Sequence, residues 1–249
     1  MRVVRTASDW INLIDSLVPD IIRLVLDTWA AMPPPASNAL EDPTSEALCR
    51  CLRTSRDRCD LPFNVYSQLV ELDPAAGEDQ GRMDIVFAPL VPRENIYFCL
   101  ECKRLNVREG DAVRPYASEY VRHGMLRFVR GQYAAFVRHG GMLGFVLDGD
   151  VPSAMTNVEA NIRAQSADLG MDPPGAFLVS GVLPEDQRIR ETRHRRSQST
   201  DLFAIHHLFM AGDPNAPPLP RETTGVSASA ARKQRKRQTP KNPKKRNNA

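Results

Sequence analysis

Three side chains carry the chemistry that this sequence can be read for. Asp84 lies in the stretch RMDIVFAPL, and Glu101 and Lys103 lie in IYFCLECK, separated from each other by Cys102. Side chains two apart on a strand project from one face, so a strand over 96–103 sets a carboxylate and an ammonium side by side. Residues 96–100 are apolar, and charges at the end of such a run need a reason. Asp84 supplies one. The midpoint between positions 84 and 101 falls in an expected turn at 91–95, so an antiparallel hairpin about that turn places Asp84 across from Glu101. Facing carboxylates repel unless a proton or a cation intervenes. Two carboxylates, waters and phosphate oxygens suit Mg2+ (or Mn2+), which takes oxygen ligands and keeps several waters. Lys103 can then hold or help deprotonate a water and stabilise charge on phosphorus. This is a layout for metal-assisted phosphodiester hydrolysis. The bland alternative is a structural cross-strand ion pair between Asp84 and Lys103.

The elements that must position these groups follow from periodicity. Residues 8–32 read as helical, capped by Ser8 or Asp9, with Trp10, Leu13, Ile14 and Leu17 at helical spacing and a break expected at Pro19. Met32-Pro-Pro-Pro is a stiff linker. Asp42-Pro43 opens a helix that ends near Asp57, with Leu48, Cys51 and Leu52 as its apolar stripe. Strands are expected over 63–72, 82–90 and 96–103, the third apolar on both faces near its start and so central. A long helix over 117–139, stopped by Gly140-Gly141, leads to strands over 142–147, 176–183 and 202–209, with a helix over 151–169. Residues 185–199 read as a polar, solvated excursion. The order predicts an α/β fold, a mixed central sheet flanked by helices.

Asp84 followed by Glu101-x-Lys103, in this order of elements, resembles the PD-(D/E)xK, or restriction-endonuclease-like, nuclease superfamily. The resemblance covers roughly residues 41–147, with Met83 in place of the family's Pro. It implies a Mg2+-dependent nuclease acting on DNA, in a bacterial restriction or anti-phage defence setting. Asp84 and Glu101 are the implied metal ligands, with the Cys102 carbonyl as a third, and Lys103 is the implied catalytic lysine. Many members add a Glu from the first core helix: Glu41 is favoured here over Glu46, although Pro43 threatens to leave Glu41 outside the helix. Gln132, followed by Tyr133, stands where some branches place a Gln and a Tyr that orient the phosphate or the lysine. Their Gln-x-x-x-Tyr spacing is not kept. Tyr116 and Tyr120 are further candidates at the mouth of the site. Many endonucleases of this fold pair up, so a homodimer is one expectation, and partner proteins that supply targeting or activation are another. The alternative within the same fold is a catalytically silent subunit that binds nucleic acid or partner proteins.

Charge divides the chain. Residues 232–249 hold nine of the 33 basic side chains and none of the 30 acids, so the rest carries about −6 although the total is +3. Three regions are expected: a helical segment over 1–35, the nuclease domain over 36–210, and a Pro-rich then basic disordered tail over 211–249. The tail, without aromatic residues for base stacking, suits salt-sensitive contacts with nucleic acid or an acidic partner protein. A third reading, an RNA-binding accessory protein acting through the tail alone, makes the Asp84, Glu101 and Lys103 trio a coincidence. Arg188–Arg196, with five arginines, could bind phosphates or merely be solvated, and so could the helix bearing Arg122, His123, Arg127 and Arg130. Of His206 and His207, one is expected in the core. Five cysteines and no signal-peptide pattern or membrane span place the expectation in the cytoplasm. Cys99 and Cys102, three apart on a strand, point opposite ways, so buried thiols are expected rather than a zinc site.

Overall fold

The meander that carries the motif forms the first half of a seven-stranded sheet. In the computed structural model the described residues are 6–70, 81–90, 93, 95–110, 112–173, 175–197, 199–217 and 219. Strands β1 (Phe63–Val70), β2 (Arg82–Pro89) and β3 (Phe98–Leu105) pair antiparallel in sequence order. The short β4 (Val107–Glu109) and β5 (Ala112–Arg114) form a separate hairpin. β6 (His139–Val146) then lies parallel to β3, and β9 (Phe203–Ala211) parallel to β6. β7 (Leu178–Val179) and β8 (Ile189–His194) complete the order β1-β2-β3-β6-β9-β8-β7. β3, β6 and β9 are buried almost end to end, as strands covered on both faces must be. The chain divides into two compact units, Met1–Leu219 and Pro220–Ala249. The part of the expected tail from 220 on lies outside the described residues, and so do residues 71–80, the end of the strand expected over 63–72 and most of the polar turn after it.

Helix α1 (Ala7–Ala31) runs unbroken through Pro19, contrary to the expected break. Proline removes one i→i−4 hydrogen bond, but burial of Ile14, Leu17, Val18, Ile21, Ile22 and Val25 on both sides of it outweighs that loss. Its N-cap is Thr6, not Ser8 or Asp9: the Thr6 side chain accepts from Asp9 N–H and the Asp9 carboxylate accepts from Thr6 N–H, at 3.3 and 3.0 Å. Trp29 stacks on Phe145 and donates its indole N–H to the Ala211 carbonyl. The helical segment expected over 1–35 therefore shares the core of the sheet. Helix α2 is Glu41–Arg58.

The long helix expected over 117–139 is shorter and differently built. It consists of α3 (Ala117–Tyr120), a π-helical turn (Val121–Met125) and α4 (Leu126–Val129). It ends at Val129, ten residues early; Gly131, at φ +76°, follows, and the chain turns through Tyr133 and Ala134 into β6. Gly140 and Gly141, expected to be the stop, lie inside that strand. A Cβ on Gly140 would come within 2.6 Å of the Phe128 ring, so the glycine lets α4 close on the sheet. Helix α5 (Val151–Ala164) ends short of Leu169.

The expected solvated excursion over 185–199 is corrected by β8. Glu191, Thr192, His194 and Arg196 are buried there, and the arginines are committed within the protein: Arg188 to Asp186, Arg193 to Glu191, Arg195 to Asp172. Both His206 and His207 are buried, not one. A one-way hydrogen-bond chain explains His207. The Leu169 carbonyl can only accept, so His194 Nδ1 donates to it at 2.7 Å. His194 Nε2 then accepts from Thr192, Thr192 accepts from His207 Nε2, and His207 Nδ1 accepts from Tyr120, at 2.7, 2.8 and 3.0 Å. On the other face of the sheet, His206 Nε2 lies 3.1 Å from His139 Nδ1. The expected disorder from 211 is corrected over its first part, where Leu219 N–H donates to the Asn38 side chain and the Asn38 amide donates to the Leu219 carbonyl.

Candidate active site

The β2–β3 register pairs Ile85 with Leu100, which sets Asp84 across from Glu101. The backbone ladder stops at that pair. Beyond it the Asp84 carboxylate takes the place of a backbone partner and accepts from Cys102 N–H at 2.7 Å. Lys103 follows on the same face as Glu101. Its ammonium donates to Glu101 Oε1 at 2.9 Å, to the Cys102 carbonyl at 2.7 Å and to Glu41 Oε1 at 2.8 Å. Glu41 is the first residue of α2, with Pro43 within the first turn, so its side chain hangs off the helix start towards β3. Its second oxygen accepts from Arg104 N–H at 3.2 Å. Glu46 lies elsewhere, accepting from Gln68 at 3.2 Å. The structure thus brings Asp84, Glu101, Lys103 and Glu41 together.

Arg127, on α4, completes the group and was not singled out by sequence. Its Nη1 lies 3.1 Å from Glu101 Oε1 and 2.6 Å from the Tyr133 hydroxyl, which donates to the Arg82 carbonyl at 3.0 Å. Only the pairing of α4 with β3 reveals it, because nothing in a run of surface arginines marks one of them. Gln132 lies in the turn after α4 rather than on a helix. Its amide nitrogen would be 3.0 Å from a Cβ on Gly81, at the start of β2. Tyr120 is not at the mouth of the site: it is fully buried and bound to His207. Tyr116 bonds to Glu109, with the Arg104 guanidinium over its ring. His123 is exposed, and His139 is on β6.

Burial, then the charge of Glu101, pushes the Asp84 carboxyl up to about 7. Burial likewise raises Glu101, against the pull of Lys103 and Arg127. Burial alone would lower Lys103, but the adjacent Glu101 and Glu41 carboxylates outweigh it and hold the ammonium well above the usual lysine range. Glu101 Oε2 is buried with no hydrogen-bond partner. Two carboxyls that resist ionisation and an orphaned carboxylate oxygen mark a place short of positive charge. The donors around it (Asp84, Glu101, Glu41 and the Cys102 carbonyl) are all oxygen, which fits Mg2+ or Mn2+ in kind. Among the described residues, no three His, Cys, Asp or Glu side chains are arranged to hold a metal ion. The reason is visible in the geometry, since the Lys103 ammonium itself bridges Glu41, Glu101 and the Cys102 carbonyl. The five cysteines are free thiols, with Cys49, Cys99 and Cys102 buried and Cys59 exposed. Compared with family models, curated proteins and solved structures, the chain matches none.

Proposed function

We propose that the chain is a divalent-metal-dependent nuclease of the restriction-endonuclease-like kind, hydrolysing phosphodiester bonds of DNA. The observation that carries this is the convergence of Asp84, Glu101 and Lys103 on adjoining antiparallel strands, with Glu41 added from the start of α2. In this reading Asp84, Glu101 and Glu41 hold the ion, with the Cys102 carbonyl beside them. Bound there, Mg2+ or Mn2+ would offset negative charge on the phosphoryl group. Lys103, held charged by Glu101 and Glu41, acts first as a positive charge beside the phosphate. It becomes able to accept a proton from water only when those carboxylates are turned away from it. Arg127 restrains Glu101 from the other side. A cytoplasmic role in restriction or defence, with partner proteins that direct the cut or a second copy to cut the other strand, belongs to the same proposal. No helix among the described residues is long and apolar enough to cross a membrane.

The lodging of Lys103 among three oxygens favours a second reading, a silent nuclease-fold subunit in which an internal ion pair has replaced the metal. Plasmid DNA incubated with the protein and Mg2+ or Mn2+, beside Asp84→Ala and Lys103→Ala, separates the two. Cleavage by the parent alone supports the enzyme. Equal cleavage by all three, or none with either metal, removes it and leaves the silent subunit.

A further inference from the structure

Away from the carboxylates, a cavity of about 310 Å³ opens where the start of α1, the 135–138 turn and the 196–203 segment meet. Arg138 and Arg196 line it, with Asn12 and Ser199 as polar neighbours and Phe136 and Leu202 as apolar ones. Arg196 is the unusual member. It is 5% exposed, its guanidinium lies over the Phe203 ring at 3.3 Å from the centroid, and it donates to the Ala134 and Tyr133 carbonyls at 2.8 and 3.3 Å. Its Nε is buried without a partner, and no carboxylate among the described residues pairs with it. Burial pulls it down to about 10. The ring and the two carbonyls offset part of the cost of burying a cation, and an anion beside it recovers more. Arg138 is braced by Asp15 and Asn12 yet keeps 41% of its side chain exposed. Phe136 leaves 60% of its surface open beside it. Fixed guanidiniums beside an open aromatic ring suit a phosphate joined to a planar ring.

We propose that this cavity binds a small organic phosphate carrying a planar ring, of the nucleoside monophosphate class. Arg138 and Arg196 face its phosphate and Phe136 its ring. Asp201 also lines the cavity, and its charge opposes such a ligand. The site is independent of the nuclease reading, although the Tyr133–Ala134 peptide gripped by Arg196 also presents the hydroxyl bound to Arg127.

The test is calorimetric titration of the full chain in chelator, with adenosine 5′-monophosphate, inorganic phosphate and adenosine as probes. The expected result is saturable one-to-one binding of the monophosphate below about 1 mM, with competition by phosphate. Phe136→Ala, at an exposed side chain, and Arg138→Gln, at a half-buried one, each weaken it about tenfold or more, the loss of one stacking or one charged contact. Asp201→Asn tightens it, and Lys103→Ala leaves it unchanged. No saturation at about 10 mM overturns the proposal, being weaker than any specific site of this size should give. So does binding as tight for adenosine as for the monophosphate, or binding that Lys103→Ala abolishes while the Phe136 and Arg138 variants keep it. Because no metal or cleavage is involved, the nuclease assay and this titration fail separately.

Discussion

Burial and the facing Glu101 raise the Asp84 carboxyl to about 7, whereas in an unfolded chain it ionises near 3.8. Between those values the folded state keeps a proton that the unfolded state has released, so this group's contribution to stability falls as pH rises from about 4 to 7 and stays low above. Asp84→Asn should therefore raise the thermal midpoint at pH 8 by a few °C, equivalent to roughly 1 kcal/mol or more, and abolish cleavage. A lower midpoint in the variant, by calorimetry without metal, would show that the carboxylate stabilises the fold and is a structural ion-pair member. Arg127 makes a companion case. It steadies Glu101 without being one of the acids, and partners of this kind are worth about 10- to 100-fold in metal affinity or activity. Arg127→Gln should lose that much in a Mn2+ titration while retaining the circular dichroism spectrum of the parent.

At the scale of elements, the positions of strands were more legible than the joints between them. β1, β2 and β3 begin within two residues of the runs that predict them, because β1 alternates along its length and β3 opens as an apolar run bounded by turn residues. The hairpin register follows from the turn centre, so the Asp84–Glu101 juxtaposition was readable as well. β8 was not. Its Arg-Glu-Thr-Arg-His sequence has the polarity of a loop, and only neighbours that satisfy each charge make it a strand. The end of the helix after β5 was misread for a related reason, since a glycine pair signals a stop or a close approach with equal force. Here it is a close approach: Gly140→Ala should push the rigid Phe128 and Phe203 rings apart and cost about 1–3 kcal/mol in urea denaturation. An unchanged midpoint would mean that α4 can shift outward freely.

Across the whole molecule, three buried imidazoles make the fold sensitive to acid. Burial lowers His194 and His206 to about 4 and lowers His207 as well, against 6.5 in an unfolded chain. Below pH 6.5 the unfolded state takes up protons that the folded state refuses. Stability is therefore full above about 6.5 and lost progressively as pH falls towards 4. In the one-way chain from Tyr120 to Leu169, a proton added to either histidine would also turn the Thr192 or Tyr120 hydroxyl from donor to acceptor and take away the partner of its own proton. Urea midpoints of Asp84→Asn, which lacks the opposing contribution of that carboxyl, should fall from pH 7.5 to 4.5, and adding His207→Phe should flatten the slope. A midpoint constant over that range would show that the histidines are charged or exposed in the folded state.

By itself the sequence determined the α/β class, the motif strands and the pairing of Asp84 with Glu101 and Lys103, because alternation and turn position are local properties. Of the two glutamates that the family resemblance offered, it favoured Glu41 over Glu46. Only the tertiary structure decided that Pro19 sits inside a helix, that Ile189–His194 is a strand of the main sheet, and that Arg127 and Arg196 have special places among many arginines. Those outcomes depend on what lies across the sheet. Burial and charge compensation are set by neighbours distant in the chain, and no spacing along it records them.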